Sequence, residues 1–277
     1  MISSIERLIR CLIRYGQKSS VFRTIQELVI DSAMEQTLNV QHQSGQFVFS
    51  TPNKLTRFRA ATFFEKEPET LEWIDSFHPG AVLWDIGANV GLYSIYAATK
   101  GAKVMAFEPS IFNLELLGRN IHLNRLENNI VILPFPLNDQ TAVNLMHMGS
   151  TQRGSALSSF GRDIGFDGKP FQAELICQSL GISCDDVVEF FGLPLPTYIK
   201  LDIDGNEHLI LKGARNILRA VESVLVEVND GYDEQATMVP EFLKQSGFEL
   251  STKRHGAMVE ESELFATTFN QIWKKAV

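Results

Sequence analysis

The chain has 277 residues, a formal net charge of −8 and a hydrophobic fraction of 44%, enough apolar material for one substantial core with an N-terminal extension. The negative balance argues against nucleic acid as a partner, because binding phosphates needs concentrated positive charge. Cys11, Cys177 and Cys184 are too few and too irregularly spaced for a disulfide framework or a metal cluster. No apolar run approaches the ~18 residues of a membrane span, and residues 1–20 lack a signal-peptide core; the expectation is a reduced, cytoplasmic protein with no integral membrane span.

In chain order, residues 2–15 place Ile2, Ile5, Leu8, Ile9, Leu12 and Ile13 on one helical face, with Arg7, Arg10 and Arg14 elsewhere. Such a helix packs on the rest of the chain or on a second subunit in a homo-oligomer, or else lies on a membrane surface; packing is the expectation. A second helical pattern follows around residues 21–36. Thr37 to Ser50 then alternates and turns at Ser44-Gly45, which predicts a hairpin. Residues 1–60 therefore read as an accessory region and cap, and 61–277 as the main domain. Glu67-Pro68-Glu69 starts a helix through Phe77, since proline suits a first helical turn.

From residue 81 the pattern alternates. Apolar runs at 81–86, 103–107, 130–135, 196–202 and 222–228 predict strands, and helical patterns lie at 91–99, 110–123, 180–191, 206–219 and 236–246. That alternation implies a mostly parallel sheet with crossover helices. Phe248 to Lys253 and Asn270 to Lys275 read as a closing hairpin pair. Between a strand at 142–147 and the next helix, residues 146–171 are rich in glycine and serine. This segment is either a surface excursion or a lid over a ligand, because long ordered loops in compact domains are often binding loops.

The most informative stretch is Val82 to Ser94: a strand ending in Asp85, a turn through Gly87-Ala88-Asn89-Val90-Gly91, then a helix. Glycines there allow positive φ and close backbone approach to a ligand, and the N–H groups opening the helix favour an anion. The next strand ends in Glu108-Pro109, which places an acid to accept both hydroxyls of a ribose. A nicotinamide dinucleotide or S-adenosylmethionine (SAM) fits this order. The missing G-x-G-x-x-G, and the repulsion between Asp85 and a pyrophosphate, favour SAM, whose methionine ammonium Asp85 would attract.

Lys200-Leu201-Asp202-Ile203-Asp204-Gly205 is the second informative stretch. In a strand Lys200, Asp202 and Asp204 share one face, and ligands of open α/β sheets bind beyond the carboxyl ends of the strands. These residues form either an internal charge cluster or a catalytic group in which a carboxylate orients an acceptor hydroxyl and takes its proton. Glu227 ends the neighbouring strand and either pairs with Lys200 or serves the same crevice. His147 and His255 are alternative bases, whereas His208, four residues after Asp204, reads as a solvated or capping residue. Asp202, Asp204 and Glu227, with Asn229, also suit a divalent cation, but the stretch is not an EF-hand loop and the reading assigns no metal. Asn138 and Asp139 follow the third strand either as a turn or as a bracket for an adenine.

Asp85 to Gly91, Phe107-Glu108-Pro109, Lys200 to Glu207 and Val226-Glu227 resemble the FkbM-type SAM-dependent methyltransferases over roughly residues 45–275. One departure is Asp204, where that family more often carries Glu. The resemblance implies a class I, Rossmann-like methyltransferase sheet with an antiparallel strand near its closing edge, and it favours the adenine reading of Asn138 and Asp139. It further implies an O-methyltransferase acting on a hydroxyl of a sugar, polysaccharide precursor or natural product, with Asp202, Glu227 and Lys200 as the catalytic group. The alternatives are a nicotinamide-linked dehydrogenase and a catalytically inactive SAM-fold binding module.

Overall fold

The computed structural model describes residues 19–256 and 265–276, together with Arg7, Cys11, Ile13 and Gly16. The amphipathic helix expected over 2–15 therefore lies largely outside the described residues. The helix Ser20–Met34 leads into an antiparallel hairpin of β1 (Thr37–His42) and β2 (Gly45–Ser50). Three short helices follow: Lys54–Ala61, Phe63–Lys66 and Pro68–Asp75. The later strands are β3 (Val82–Ile86), β4 (Lys103–Phe107), β5 (Ile130–Leu133), β6 (Leu137–Asn138), β7 (Ala142–Met148), β8 (Ser158–Phe160), β9 (Leu175–Ser183), β10 (Tyr198–Leu201), β11 (Ser223–Asn229), β12 (Phe248–Arg254) and β13 (Thr268–Lys275).

Seven of these strands form one sheet in the order β12-β13-β11-β10-β3-β4-β5. The five from β11 to β5 are mutually parallel, while β13 runs antiparallel to both β11 and β12. This is the mostly parallel sheet expected from the alternation, with the antiparallel strand that the family resemblance implies. The parallel strands are apolar on both faces, as a sheet covered on both sides requires. Trp84, Ile86, Met105, Phe107, Ile199, Leu201, Val224 and Val226 pack on one side. Leu83, Val104, Ala106, Tyr198 and Leu225 pack on the other, against Phe47 and Phe49 of the hairpin and Phe63, Trp73 and Ile74 of the short helices.

That alternation fixes where charge can go. Asp85 lies two residues beyond Leu83, Lys200 two beyond Tyr198 and Glu227 two beyond Leu225, so all three leave the sheet on the side covered by the N-terminal segment. Lys200 stands directly opposite Asp85 in the ladder. The N-terminal segment is thus joined to the core beneath the strand ends.

Two expected helices begin or end elsewhere. Residues 180–183 are strand, and the helix runs Cys184–Phe191, where the Ser183 hydroxyl caps it by accepting from the Asp186 N–H at 3.1 Å. The strand is favoured because Gly181 packs on Phe160: a Cβ there would lie 2.2 Å from the ring. The helix expected over 206–219 is Glu207–Lys212 followed by a 3₁₀ turn at Ile217–Arg219. Its break is at Gly213, whose close approach to the Asn138 carbonyl leaves no room for a Cβ. Strands β6, β9, β7 and β8 form a second sheet in that order, and the glycine-rich segment after β7 lies over the main sheet's carboxyl edge.

Asn120 ties hairpin to glycine turn. Fully buried, it accepts from the Ser50 N–H at 2.7 Å and donates to the Val90 carbonyl at 2.8 Å. Asn120→Ala strands both backbone groups and is expected to lower stability by about 2–4 kcal/mol. Urea unfolding checks this; a loss under ~1 kcal/mol would mean that water replaces the amide.

Candidate active site

The carboxyl ends of β3, β4, β10 and β11 open into a cavity of about 670 Å³. Its first wall is the turn after β3. The N–H groups of Gly87 and Ala88 both donate to the Phe107 carbonyl at 3.0 Å, which pins the turn to the end of β4. Gly87 has φ +87°, and a Cβ there would lie 1.9 Å from the Asp202 carbonyl oxygen, so only glycine lets the turn meet β10. Asn89 takes the left-handed conformation at φ 52°. Its N–H donates to Glu108 Oε2 at 2.8 Å, and the Ser110 N–H donates to Glu108 Oε1 at 2.7 Å. Burial raises the Glu108 carboxyl to about 7 despite those two donors.

The second wall is the turn after β10. Asp204 has φ 64° and Gly205 φ 127°, and this tight path is held by Glu207, whose carboxylate accepts from the N–H groups of Ile203 at 3.0 Å and Gly205 at 3.1 Å. Glu207 is fully buried, and its work is structural. The turn presents Asp202 and Asp204 to the cavity. Burial, and then Asp202, push the Asp204 carboxyl up to about 6. Its Oδ2 accepts from the Leu157 N–H at 2.7 Å.

Lys200 sits beneath both walls, 2% exposed, with its Nζ 2.7 Å from Asp202 Oδ2 and 5.0 Å from the centre of the Tyr93 ring. Burial alone would push this ammonium down, but Asp202, Asp85 and Glu67 together hold it above the usual lysine range. It pairs with Asp202 and not with Glu227, correcting one of the two readings of that pair. Burial, followed by Asp202, Asp204 and Glu67, drives the Glu227 carboxyl well above the ordinary range.

Of the expected cofactor residues, Gly87, Ala88, Asn89, Glu108, Pro109 and Asn138 line the cavity, as do Asp202, Lys200 and Glu227. Three others do not border it. Asp85 is 1% exposed beneath the turn, where its Oδ2 accepts from Ser94 Oγ at 2.5 Å. Gly91 opens the following helix against Leu117. Asp139 faces Lys212 at 2.7 Å. Among the histidines, His255 borders the cavity, whereas His147 and His208 do not; His208 is buried beside Glu234.

Several lining residues escaped the sequence reading. Glu67, 4% exposed, pairs with Lys66 at 2.6 Å. Burial works against its charge, yet Lys66 and then Lys200 hold the carboxyl down at about 2. Arg59, from the helix Lys54–Ala61, donates to the Gly154 carbonyl at 2.6 Å, and Asn113 holds the same segment through the Gly154 N–H at 2.9 Å. The only sequence signal at Glu67 was a helix start before proline, which says nothing about a cavity.

A parallel sheet of this order, with an antiparallel strand beside β11 and a ligand-sized cavity at its carboxyl edge, defines a class I methyltransferase fold. The family model of the FkbM methyltransferase domain matches residues 85–250, more than half of the chain, and the chain belongs to that family. It is 31% identical over 160 residues to the hexuronic acid methyltransferase AglP of Haloferax volcanii, an alignment covering 55% of this chain and 57% of that protein. It is 25% identical over 214 residues to the 31-O-demethyl-FK506 methyltransferase FkbM of Streptomyces tacrolimicus, covering 69% of this chain and 78% of the relative. The crystal structure of methyltransferase FkbM from Methylobacillus flagellatus shares the fold at a TM-score of 0.51 and 16% identity, over 92% of this chain and 60% of that one. The chain thus spans a little over half the length of the Haloferax relative.

Lys200→Met would leave Asp85, Asp202 and Glu67 facing one another with their shared cation gone. Stability is expected to fall by about 3–5 kcal/mol near pH 8, the scale for a buried charge pair losing one partner. The deficit should shrink toward pH 5 as carboxylates in the native state take up protons. Denaturant unfolding at both pH values checks the sign; a deficit that grows on acidification would overturn the assignment of Lys200 as the shared counter-charge.

Proposed function

We propose that this protein is a SAM-dependent O-methyltransferase acting on a hydroxyl of a small molecule or carbohydrate: a sugar, a polysaccharide precursor or another natural product. One observation carries the reading: the glycine turn with Glu108, and the group Asp202, Lys200 and Glu227, border a single cavity. The residues present fit SAM. Glu108 is only 5% exposed yet borders the cavity, with both oxygens fixed by backbone donors, as ribose hydroxyls require. Gly87 and Ala88 let a ligand approach the backbone, and Asn138 borders the same cavity beyond β5, which supports the adenine reading. Asp85 would act from beneath the turn, as a fixed charge favouring an ammonium above it.

When bound, SAM supplies a methyl group whose transfer to a hydroxyl oxygen forms an O–C bond, returns the S–C electron pair to sulfur and releases the hydroxyl proton. The chain's part is to align that hydroxyl and receive its proton. Asp202, held by Lys200, suits orientation, since its carboxylate is fixed in place. Glu227 suits the proton, because burial, followed by Asp202 and Asp204, raises its carboxyl's affinity for one. The relatives' names, hexuronic acid methyltransferase and 31-O-demethyl-FK506 methyltransferase, support an acceptor among sugars or natural products.

Turnover of SAM with a panel of activated sugars tests the reading. Glu227→Gln is expected to reduce turnover ~10²–10⁴-fold, typical of a lost acid/base group, with SAM affinity near normal. Calorimetric binding of SAM without turnover of any acceptor would favour an inactive binding module.

The raised Glu108 carboxyl gives a pH dependence with a definite sign. At about 7 in the native state, this group is only about one-tenth ionised at pH 6, and it must be ionised to accept two hydroxyls. SAM affinity is expected to be about tenfold weaker at pH 6 than at pH 8, with close to one proton released on binding at pH 6. The ligand-free protein should lose stability as pH rises from about 4.5 to 7, because the native carboxyl keeps a proton that the unfolded one has lost. Calorimetry in two buffers of different ionisation enthalpy checks both; a pH-independent affinity would remove Glu108 from the ribose site.

A further inference from the structure

We infer that Asp202, Asp204 and Glu227 bind one hard divalent cation (magnesium, manganese or calcium) at the acceptor end of the cavity. One oxygen from each carboxylate lies within 4.8 Å of the other two. For such a triangle there is a point no farther than about 2.8 Å from all three oxygens, a small inward adjustment from calcium–oxygen or magnesium–oxygen distances. The three acids are half-buried and all border the cavity. Lys200 pairs with Asp202, but among the described residues neither Asp204 nor Glu227 has an ion pair, and the Glu227 carboxylate accepts no hydrogen bond. Three like charges so close repel one another, and a central cation turns that repulsion into attraction.

An independent observation points to the same ligand. Thr268 borders this cavity and is 4% exposed, yet its Oγ1 has no partner among the described residues. In the antiparallel ladder Asn270 stands opposite Glu227 and Thr268 opposite Asn229, so Thr268 leaves the sheet on the face of Glu227. A buried hydroxyl without a partner in a polar site marks a place that an ion or its bound water completes. Every donor in the group is oxygen, which suits a hard cation over zinc or copper. An acceptor hydroxyl on the ion would lose its proton more readily.

The test is titration of the full chain with manganese(II), following free ion by its paramagnetic resonance signal in the absence of SAM. One ion per chain is expected, bound at least tenfold more weakly by both Asp204→Asn and Glu227→Gln. Removing a like charge should leave both variants folded, and manganese should raise the melting temperature of the native chain and not of Glu227→Gln. Thr268→Val, which keeps shape, is expected to weaken binding about threefold and serves should an acid variant fail to fold. Two results would overturn the inference: no saturable manganese binding at millimolar concentration, or binding that all three substitutions leave unchanged. If the acids instead serve only a sulfonium, the variants weaken SAM and the native chain binds no manganese.

Discussion

One buried cation organises this molecule. The Lys200 ammonium lies in the middle of a parallel sheet, 2% exposed, where an unpaired charge would be untenable. The fold therefore surrounds it with acids drawn from different parts of the chain: Asp85 across the ladder, Asp202 two residues on and Glu67 from the N-terminal segment. Tyr93 offers the face of its ring at 5.0 Å. Because each partner comes from a different element, satisfying one charge fixes the mutual positions of the turn after β3, the turn after β10 and the start of the helix Pro68–Asp75. Precision in the cavity is thus a consequence of electrostatic need beneath it.

The same requirement explains why the N-terminal segment belongs to the cavity. The face alternation of β3, β10 and β11 sends Asp85, Lys200 and Glu227 toward the hairpin side, which an exposed surface could not insulate from water. Phe47, Phe49 and Phe63 cover that side, fully buried. Glu67 and Arg59 reach the cavity because the helices carrying them are packed by those aromatics. Residues 1–60, read from their pattern as an accessory region and cap, thereby supply Leu55, Phe58 and Arg59 to the cavity wall.

The sheet was legible in the amino-acid sequence because each central strand is a short apolar run between turn residues, and burial on both faces demands that pattern. Asp85, Gly87, Glu108 and Asp202 were legible as a group because they end such runs. What could not be read was direction in space. Asp85 and Glu108 look alike as strand-end acids, yet one is held under the turn by Ser94 and the other is held at the cavity by two backbone donors. Asp139 is adjacent to Asn138, which borders the cavity, but its side chain goes to Lys212. Strand β9 was hidden because Ile176 and Leu180 are about half exposed, so its apolar spacing mimics a helical face. Glu67 gave no sign of the cavity, since beyond its neighbour Lys66 it acts on Lys200, more than a hundred positions away.

The glycine-rich segment connects the two ends of the cavity. Its backbone meets Asn89 of the first turn through the Ser155 carbonyl at 2.8 Å, and Asp204 of the second through the Leu157 N–H at 2.7 Å. Asn113 holds it a third time, and Arg59 a fourth. Side chains add to this grip: Arg153 pairs with Glu115 at 2.9 Å, Arg162 with Glu234 at 2.8 Å, and the Ser159 hydroxyl accepts from the Asn206 amide at 2.8 Å. Any ligand that displaces Asn89 or Asp204 must also move this segment. The turn after β3 and the turn after β10 are therefore coupled through a few hydrogen bonds to one segment, in addition to the charge they share at Lys200.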